Sequence, residues 1–110
     1  MRLTTHQAGS FLVVGFEQPL QVDFFNADTF SRALGEQSEE NQNLAIDCSN
    51  LTGLSSKALG ALILLYDSIQ ARGGQLRFFN LGETLASVFR TTRLDTIFEI
   101  YPDEESAVAG

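Results

Sequence analysis

The sequence has few of the side chains that bind transition metals or form disulfides. Cys48 is its only cysteine and His6 its only histidine. A disulfide within the chain needs two cysteines, and a zinc site needs several Cys or His ligands at suitable spacing. We therefore expect no metal and no cofactor. A lone thiol after an apolar strand is typical of a protein from a reducing compartment.

Basic residues and long apolar runs are also scarce. Seven Lys and Arg oppose fourteen Asp and Glu, for a net charge of -7, whereas a nucleic-acid surface needs cations to displace counterions. The longest apolar stretch, Ala61 to Leu65, is far shorter than the about 20 residues of a membrane-spanning helix. Met1 to Ser10 has no apolar signal core. We expect a cytoplasmic protein that neither binds nucleic acid directly nor inserts into a membrane.

Hydrophobic residues make up 44% of the 110 residues, which is enough to build a core. We predict a single domain over residues 1–110. Apolar runs that are typical of strands occur at Leu3 to His6, Phe11 to Phe16, Leu44 to Asp47, Leu76 to Leu81 and Ile97 to Tyr101. Gly9 and Ser10 suit a hairpin turn between the first two of these runs.

Four segments are predicted to be helical, and the first three of them lie between strands and have apolar residues at helical spacing. The first begins near Asn26 or Asp28 and passes Leu34, and the polar stretch Glu36 to Asn43 after it is interpreted as a loop. The others are a helix from Ser56 to Gly73 or Gly74, a helix from Glu83 to Arg93, and a short acidic helix after Pro102. Alternating strands and helices favour parallel pairing. The predicted class is α/β, with a mixed sheet of about four to five strands covered by three to four helices.

The chain offers no convincing enzyme motif. Gly53 precedes Ser55, Ser56 and Lys57, but a phosphate-binding loop needs a second glycine before its lysine. A serine hydrolase needs a base, and the sequence gives His6 no partner. His6 is therefore interpreted as a surface or strand-edge residue, and we expect no catalytic activity.

The segment Leu54-Ser55-Ser56-Lys57 marks the start of the long second helix. The first backbone N–H groups of a helix lack acceptors within it, and the helix dipole adds partial positive charge there, so a phosphate is tolerated. Ser55 is predicted to be the N-cap. Ser56 is either a phosphate acceptor or an ordinary first-turn residue, and Lys57 either attracts a phosphate or is simply exposed.

Several segments, in order along the chain, carry a resemblance. They are Val22-Asp23 with Asn26, Leu44-Ala45-Ile46-Asp47, Leu54-Ser55-Ser56-Lys57-Ala58-Leu59-Gly60, Gly73-Gly74-Gln75-Leu76-Arg77, Phe79-Asn80-Leu81 and Val88 to Phe98. Together they resemble a STAS domain of the bacterial anti-sigma-factor antagonist type. The family pattern is Asp-Ser-Ser/Thr-Gly-Leu-Gly, and here Ser55 replaces the aspartate, Lys57 follows the acceptor position and Ala58 replaces a glycine.

The resemblance implies a bacterial source and a STAS-like fold. It also implies a partner switch, in which phosphorylation of this chain releases the protein bound to it. A kinase-like anti-sigma factor would phosphorylate Ser56 and be released, and a serine phosphatase would reset the protein. The residues implied in partner binding are Asp23, Leu54, Ser55, Ser56 and Lys57. Asp47 is expected to support the loop ahead of the helix.

Two alternatives remain open. The chain could be an accessory subunit of a lipid or anion transport system, or a nonphosphorylated scaffold of a signalling assembly. The pair Phe24-Phe25 would mark a contact surface if both rings were exposed, although such rings are more often part of the core.

Overall fold

A β-hairpin opens the fold in the computed structural model, which describes residues 1–109. Strands β1 (Leu3–Ala8) and β2 (Phe11–Phe16) pair antiparallel. Gly9 turns the chain between them with φ +60°, a left-handed value that glycine adopts at little cost. The predicted hairpin is confirmed.

The remaining elements follow in alternation. Their bounds are β3 Leu20–Val22, α1 Ala27–Glu40, β4 Leu44–Asp47, β5 Leu51–Leu54, α2 Ser56–Ala71, β6 Leu76–Phe79, α3 Glu83–Thr91, a 3-10 turn Leu94–Thr96, β7 Glu99–Tyr101 and α4 Glu104–Val108. Helix α2 ends where predicted. Gly73 takes φ +80°, and the N–H groups of Gly73 and Gly74 donate to the Gln70 and Ile69 carbonyls, as in a Schellman cap.

Five of the strands form one sheet in the order β1-β2-β4-β6-β7. Strand β1 is antiparallel to β2, and all other pairings in this sheet are parallel. The α/β class with a mixed sheet is therefore confirmed. Successive side chains of a strand point to opposite faces of the sheet, so each face has its own set of buried residues.

The larger core lies between the sheet and helices α1, α2 and α3. It contains Ile46 and Phe78 from the strands, Phe30 and Leu62 from α1 and α2, and Phe89 from α3. A smaller cluster on the opposite side of the sheet is covered by α4. Its members are Phe11, Val13, Ala45, Phe79 and Ala107.

The second sheet, a parallel pair of β3 and β5, was not predicted. Strands of three and four residues are too short to show a clear alternation of apolar and polar side chains. Val22 and Leu51 bury their side chains in the core. The pair matters for function because it carries the chain into α1 and into α2 side by side.

The predicted end of α1 is wrong. Residues 36–43 were interpreted as a loop, but α1 continues to Glu40. Glutamate and glutamine favour helices, and the polar side chains lie mostly on the solvent side while Ser38 is buried and donates to the Gly35 carbonyl. Helix α1 begins where predicted: Asn26 occupies the N-cap position, although its side chain makes no capping bond, and Asp28 lies within the first turn.

The ends of two later elements also differ slightly from the prediction. Helix α3 stops at Thr91, and the Thr92 and Arg93 N–H groups donate back to Val88 and Arg90 carbonyls. Arg93 takes φ +64° and starts the 3-10 turn, so β7 begins only at Glu99. Such terminal differences of one or two residues are common at helix ends.

Candidate functional site

Helix α2 begins directly beside strand β3. The Ser55 N–H donates to the Val22 carbonyl at 2.8 Å, and the Ser55 hydroxyl accepts from the Ala58 N–H at 3.2 Å. Ser55 is thus the N-cap of α2, as predicted. Its hydroxyl satisfies one of the free N–H groups of the first turn.

Ser56 is the first helical residue of α2 and is exposed. Within residues 1–109, its hydroxyl makes no hydrogen bond with another protein group. No acidic residue lies in the first turn of α2, so the partial positive charge of the helix end is not offset there. The two adjacent serines therefore differ. The Ser55 hydroxyl caps the helix, whereas the Ser56 hydroxyl is exposed and has no hydrogen-bond partner within residues 1–109.

The loop from β3 to α1 is held by two side chains that bond to its own backbone. Asp23 accepts from the Phe25 and Asn26 N–H groups at 2.8 and 3.0 Å. Asn26 accepts from the Asp23 N–H at 2.8 Å and donates to the Gln21 carbonyl at 3.0 Å. Asp23 thus shapes the loop, and such Asx bonding fixes short turns.

This loop presents two aromatic rings to solvent. Phe24 is 64% exposed and Phe25 is 91% exposed. The two rings meet edge to face at 5.7 Å. Large exposed apolar side chains that lie together indicate an interaction site. The structure therefore places the Phe24-Phe25 pair on the surface and outside the core.

Lys57, the only lysine of the chain, connects α2 to this loop and to α1. Its Nζ lies 3.2 Å from Asp28 Oδ2 and 4.5 Å from the centroid of the Phe24 ring. Lys57 therefore has two specific contacts in addition to its exposure. The first turns of α1 and α2 are joined by this one side chain.

Leu54, the last residue of β5, pairs with Val22 and packs against the main core. It is half-buried and contributes to the position of the α2 terminus. Ser56, Lys57 and the two phenylalanines form the outward surface; we call these four residues, Phe24, Phe25, Ser56 and Lys57, the docking surface.

Asp47 lies at the end of β4 and bonds to the segments that follow β4 and β6. Its Oδ1 accepts from the Ser49 N–H at 3.0 Å and from Asn80 Nδ2 at 3.3 Å. Asn80 has φ +58°, a left-handed conformation that asparagine tolerates better than most residues. The Asp47 carboxylate thus bonds to the turn that precedes β5.

The thiol of Cys48 follows Asp47 and is buried. Burial, with the neighbouring negative charge of Asp47, raises the pKa of this thiol far above its ordinary value. Since the thiolate is the reactive form of cysteine, burial disfavours a nucleophilic role for Cys48.

One surface feature gave no signal in the sequence. A shallow groove of about 170 Å³ runs between α1 and α2 and is lined by Phe30, Ser31, Leu34, Gly35, Ala61, Leu62, Leu64 and Leu65. Leu64 is 71% exposed at its edge. In the sequence Leu64 lies within an apolar run, so nothing distinguishes it from a core leucine.

Residues 1–109 contain neither a cluster of metal ligands nor a helix that could cross a membrane. In that part of the chain, no three His, Cys, Asp or Glu residues lie close enough together to hold a metal ion. None of its helices is both long and apolar enough to span a bilayer.

Comparisons with known proteins identify the family and the fold. The STAS domain family model matches residues 2–107. The anti-sigma-B factor antagonist of Bacillus subtilis is 26% identical over 88 residues, which cover 80% of this chain and 81% of that protein.

Solved structures show the same fold at lower identity. An anti-sigma factor antagonist from Mycobacterium paratuberculosis has a TM-score of 0.81 at 22% identity, covering 97% of this chain and 90% of that one. The Bacillus anti-sigma factor antagonist SpoIIAA has a TM-score of 0.73 in its unphosphorylated form, covering 96% of this chain and 92% of that one. Its phosphorylated form has a TM-score of 0.66, covering 96% of each chain; both forms are 13% identical to this chain. With its family match spanning nearly the whole sequence, this chain belongs to the STAS domain family.

Proposed function

We propose that this chain is a regulatory binding module of the anti-sigma-factor antagonist type, switched by phosphorylation of Ser56. In the unmodified state it binds a serine-kinase-like anti-sigma factor through the docking surface. The partner transfers a phosphoryl group to Ser56 and is released, and a serine phosphatase resets the protein. The chain acts in the cytoplasm as a substrate and binding partner, with no catalysis of its own.

The observation that carries this proposal is the difference between the two serines at the start of α2. The Ser55 hydroxyl is bonded to the Ala58 N–H, whereas Ser56 is exposed at the first helical position. A kinase can reach Ser56 without opening the helix cap. Its position also matches the one that the family pattern assigns to the phosphate acceptor.

The electrostatics support a switch that leaves the fold intact. A phosphate adds nearly two negative charges and three acceptor oxygens, and the start of α2 offers free N–H groups and no acidic first-turn residue. At a protein contact, the same charge without a compensating partner costs about 2–5 kcal/mol, or roughly thirtyfold to several thousandfold in affinity. SpoIIAA, which has the same fold, has been solved in both states.

The exposed rings support protein docking at the same place. Aromatic side chains are frequent among residues that dominate binding energy, and Phe25 is almost fully exposed in the free chain. Phe24 touches Lys57, the neighbour of Ser56. A partner that covers these rings would thus lie next to the phosphorylation site.

Phosphorylation is tested by incubating the chain with ATP and each anti-sigma kinase of the same genome, followed by intact mass measurement and site mapping. We expect one phosphate on the wild type and on Ser68→Ala, which changes another exposed serine of α2. We expect none on Ser56→Ala. If no kinase modifies the chain, or if the phosphate lies elsewhere, the switch is refuted.

Docking is tested separately by titrating the unmodified chain with the same anti-sigma factors. Phe25→Ser should weaken binding more than tenfold, because an aromatic anchor typically contributes more than about 1.4 kcal/mol. Ile97→Ser is the matched control, since Ile97 is an exposed apolar residue after the 3-10 turn. Binding without phosphorylation would favour a scaffold or a transport accessory subunit.

A further inference from the structure

Lys57 contacts both the first turn of α1 and the β3–α1 loop from its place in the first turn of α2. Its Nζ lies 3.2 Å from Asp28 Oδ2 in the first turn of α1. The same atom lies 4.5 Å from the Phe24 ring centroid in the β3–α1 loop. Phe24 in turn meets Phe25 edge to face. The orientation of the aromatic pair is therefore tied to one ammonium group on α2.

The contacts of Lys57 with Asp28 and Phe24 are weak enough for Lys57 to exchange them for another partner. The Asp28 side chain is 74% exposed and that of Lys57 is 38% exposed. Ion pairs at such exposure contribute little to stability because water screens both charges. The Asp28 side chain accepts no other hydrogen bond within residues 1–109, so nothing else holds it in this geometry.

A phosphate on Ser56 would compete directly for Lys57. It carries nearly twice the charge of the Asp28 carboxylate and has three acceptor oxygens, and it would be attached to the adjacent residue, whose Cα lies about 3.8 Å away. The lysine stem is flexible enough to follow it. Adjacent residues of a helix do not face each other, so Lys57 must swing away from α1 to make this contact.

We infer that Lys57 is a positioning residue that relays phosphorylation of Ser56 to the aromatic part of the docking surface. In the unmodified chain Lys57 holds Phe24 against α2. The phosphate draws the ammonium away from Asp28 and Phe24, and the Phe24 ring loses its cation contact. A partner then meets a new negative charge and a changed aromatic surface. This inference rests on the proposed function, because it concerns the effect of a phosphate on Ser56.

The test uses the single lysine as a probe. The chain is made with 13C-labelled lysine and with genetically encoded phosphoserine at position 56, so that no kinase or partner is needed. In the unmodified chain we expect the Lys57 Cε–Hε signal to be shifted upfield by the Phe24 ring current and to show cross-peaks to that ring. Phosphoserine at position 56 should remove both the upfield shift and the cross-peaks.

Three controls make the result specific. Phe24→Leu in the unmodified chain should remove the upfield shift, which assigns the shift to that ring. Phosphoserine at position 68, on the same helix, should leave the Lys57 signal unchanged. Asp28→Asn should leave the ring contact largely in place, because the aromatic face still attracts the ammonium.

The relay is overturned if phosphoserine at position 56 leaves the Lys57 signal in place, or if phosphoserine at position 68 moves it equally. Neither result bears on whether a kinase modifies Ser56. Conversely, a failure of every kinase to modify the chain would refute the proposed switch without changing the NMR result.

Discussion

Two cations in this protein have similar partners and opposite surroundings. Arg77 pairs with Glu99 at 2.9 Å and lies over the rings of Phe11 and Tyr101 at 4.7 and 5.2 Å. Lys57 pairs with Asp28 at 3.2 Å and lies over Phe24 at 4.5 Å. The Arg77 side chain is only 10% exposed, against 38% for Lys57. The same combination of carboxylate and ring is therefore built once in the interior and once at the surface.

The buried cation, Arg77, has a structural role. Arg77 Nη1 also donates to the carbonyls of Ala107 and Ala109 at 2.9 and 3.1 Å, so it fixes the end of α4 over the sheet. A five-residue helix is not stable alone, and cations are favourable at a helix C-terminus. Within residues 1–109, the exposed cation Lys57 has no such carbonyl partner. Burial thus separates a cation that maintains the fold from one that can change partners.

The largest effect is expected from Arg77→Met, which keeps an unbranched apolar stem but removes the guanidinium donors. It should lower the free energy of unfolding by about 2–3 kcal/mol, less than the 3–5 kcal/mol of a fully buried pair because Glu99 is partly exposed. Urea denaturation measures this. Arg90→Met, on the exposed side of α3, is the control. Equal urea midpoints for the two variants would contradict a structural role for Arg77.

The second effect concerns the two serines of α2. Ser55→Ala should cost about 1 kcal/mol of unfolding free energy, because the Ala58 N–H loses its acceptor. Ser55→Asp should recover most of this loss, since aspartate is also a good N-cap. Ser56→Ala should leave the urea midpoint nearly unchanged. If Ser56→Ala were the more destabilising variant, its hydroxyl would have a structural role and would not be free.

Much of this distinction was outside the reach of sequence reasoning. The order of strands and helices followed from apolar spacing, and the ends of α2 followed from Ser55 and from the glycines at 73 and 74, because these signals are local. The Arg77–Glu99 pair joins parallel strands that are 22 residues apart. It depends on the register of β6 and β7, which spacing alone does not give.

The candidate site was predicted only in part, for a similar reason. Ser56 and Lys57 lie in a recognisable stretch of sequence, whereas the exposure of Phe24 and Phe25 depends on the β3–β5 pair and on the turn that Asp23 makes. Short strands carry too few residues to show alternation. The polar end of α1 was missed because it lacks an apolar stripe.

A smaller effect is expected from Lys57→Gln. The free energy of unfolding should fall by less than about 0.5 kcal/mol, because both partners of the ion pair are exposed. Asp28→Asn should lower the free energy of unfolding by a similar amount. The variant that carries both substitutions should be little less stable than either single variant. If urea denaturation showed a fall of more than about 1.5 kcal/mol in the free energy of unfolding, Lys57 would be a residue that maintains the fold, as Arg77 is.

The smallest effect concerns Tyr101, which lies beside Arg77. Desolvation in its half-buried position, followed by its hydrogen bond to Glu99, raises the pKa of Tyr101. Because the folded-state pKa is above the unfolded one, this contribution to stability is complete below the unfolded pKa and is lost as pH rises through the folded pKa. Urea midpoints should therefore fall above about pH 10 in the wild type. They should fall less in Tyr101→Phe, and an equal slope would contradict this assignment.

We propose that a phosphate on Ser56, at the exposed start of α2, breaks the contact with an anti-sigma factor. The most direct measurement is the dissociation constant of that factor for the unmodified chain and for the chain carrying phosphoserine at position 56. We predict binding that is weaker by at least about thirtyfold in the modified chain, with phosphoserine at position 68 having little effect. Equal affinities of the unmodified and position-56 chains would contradict the account.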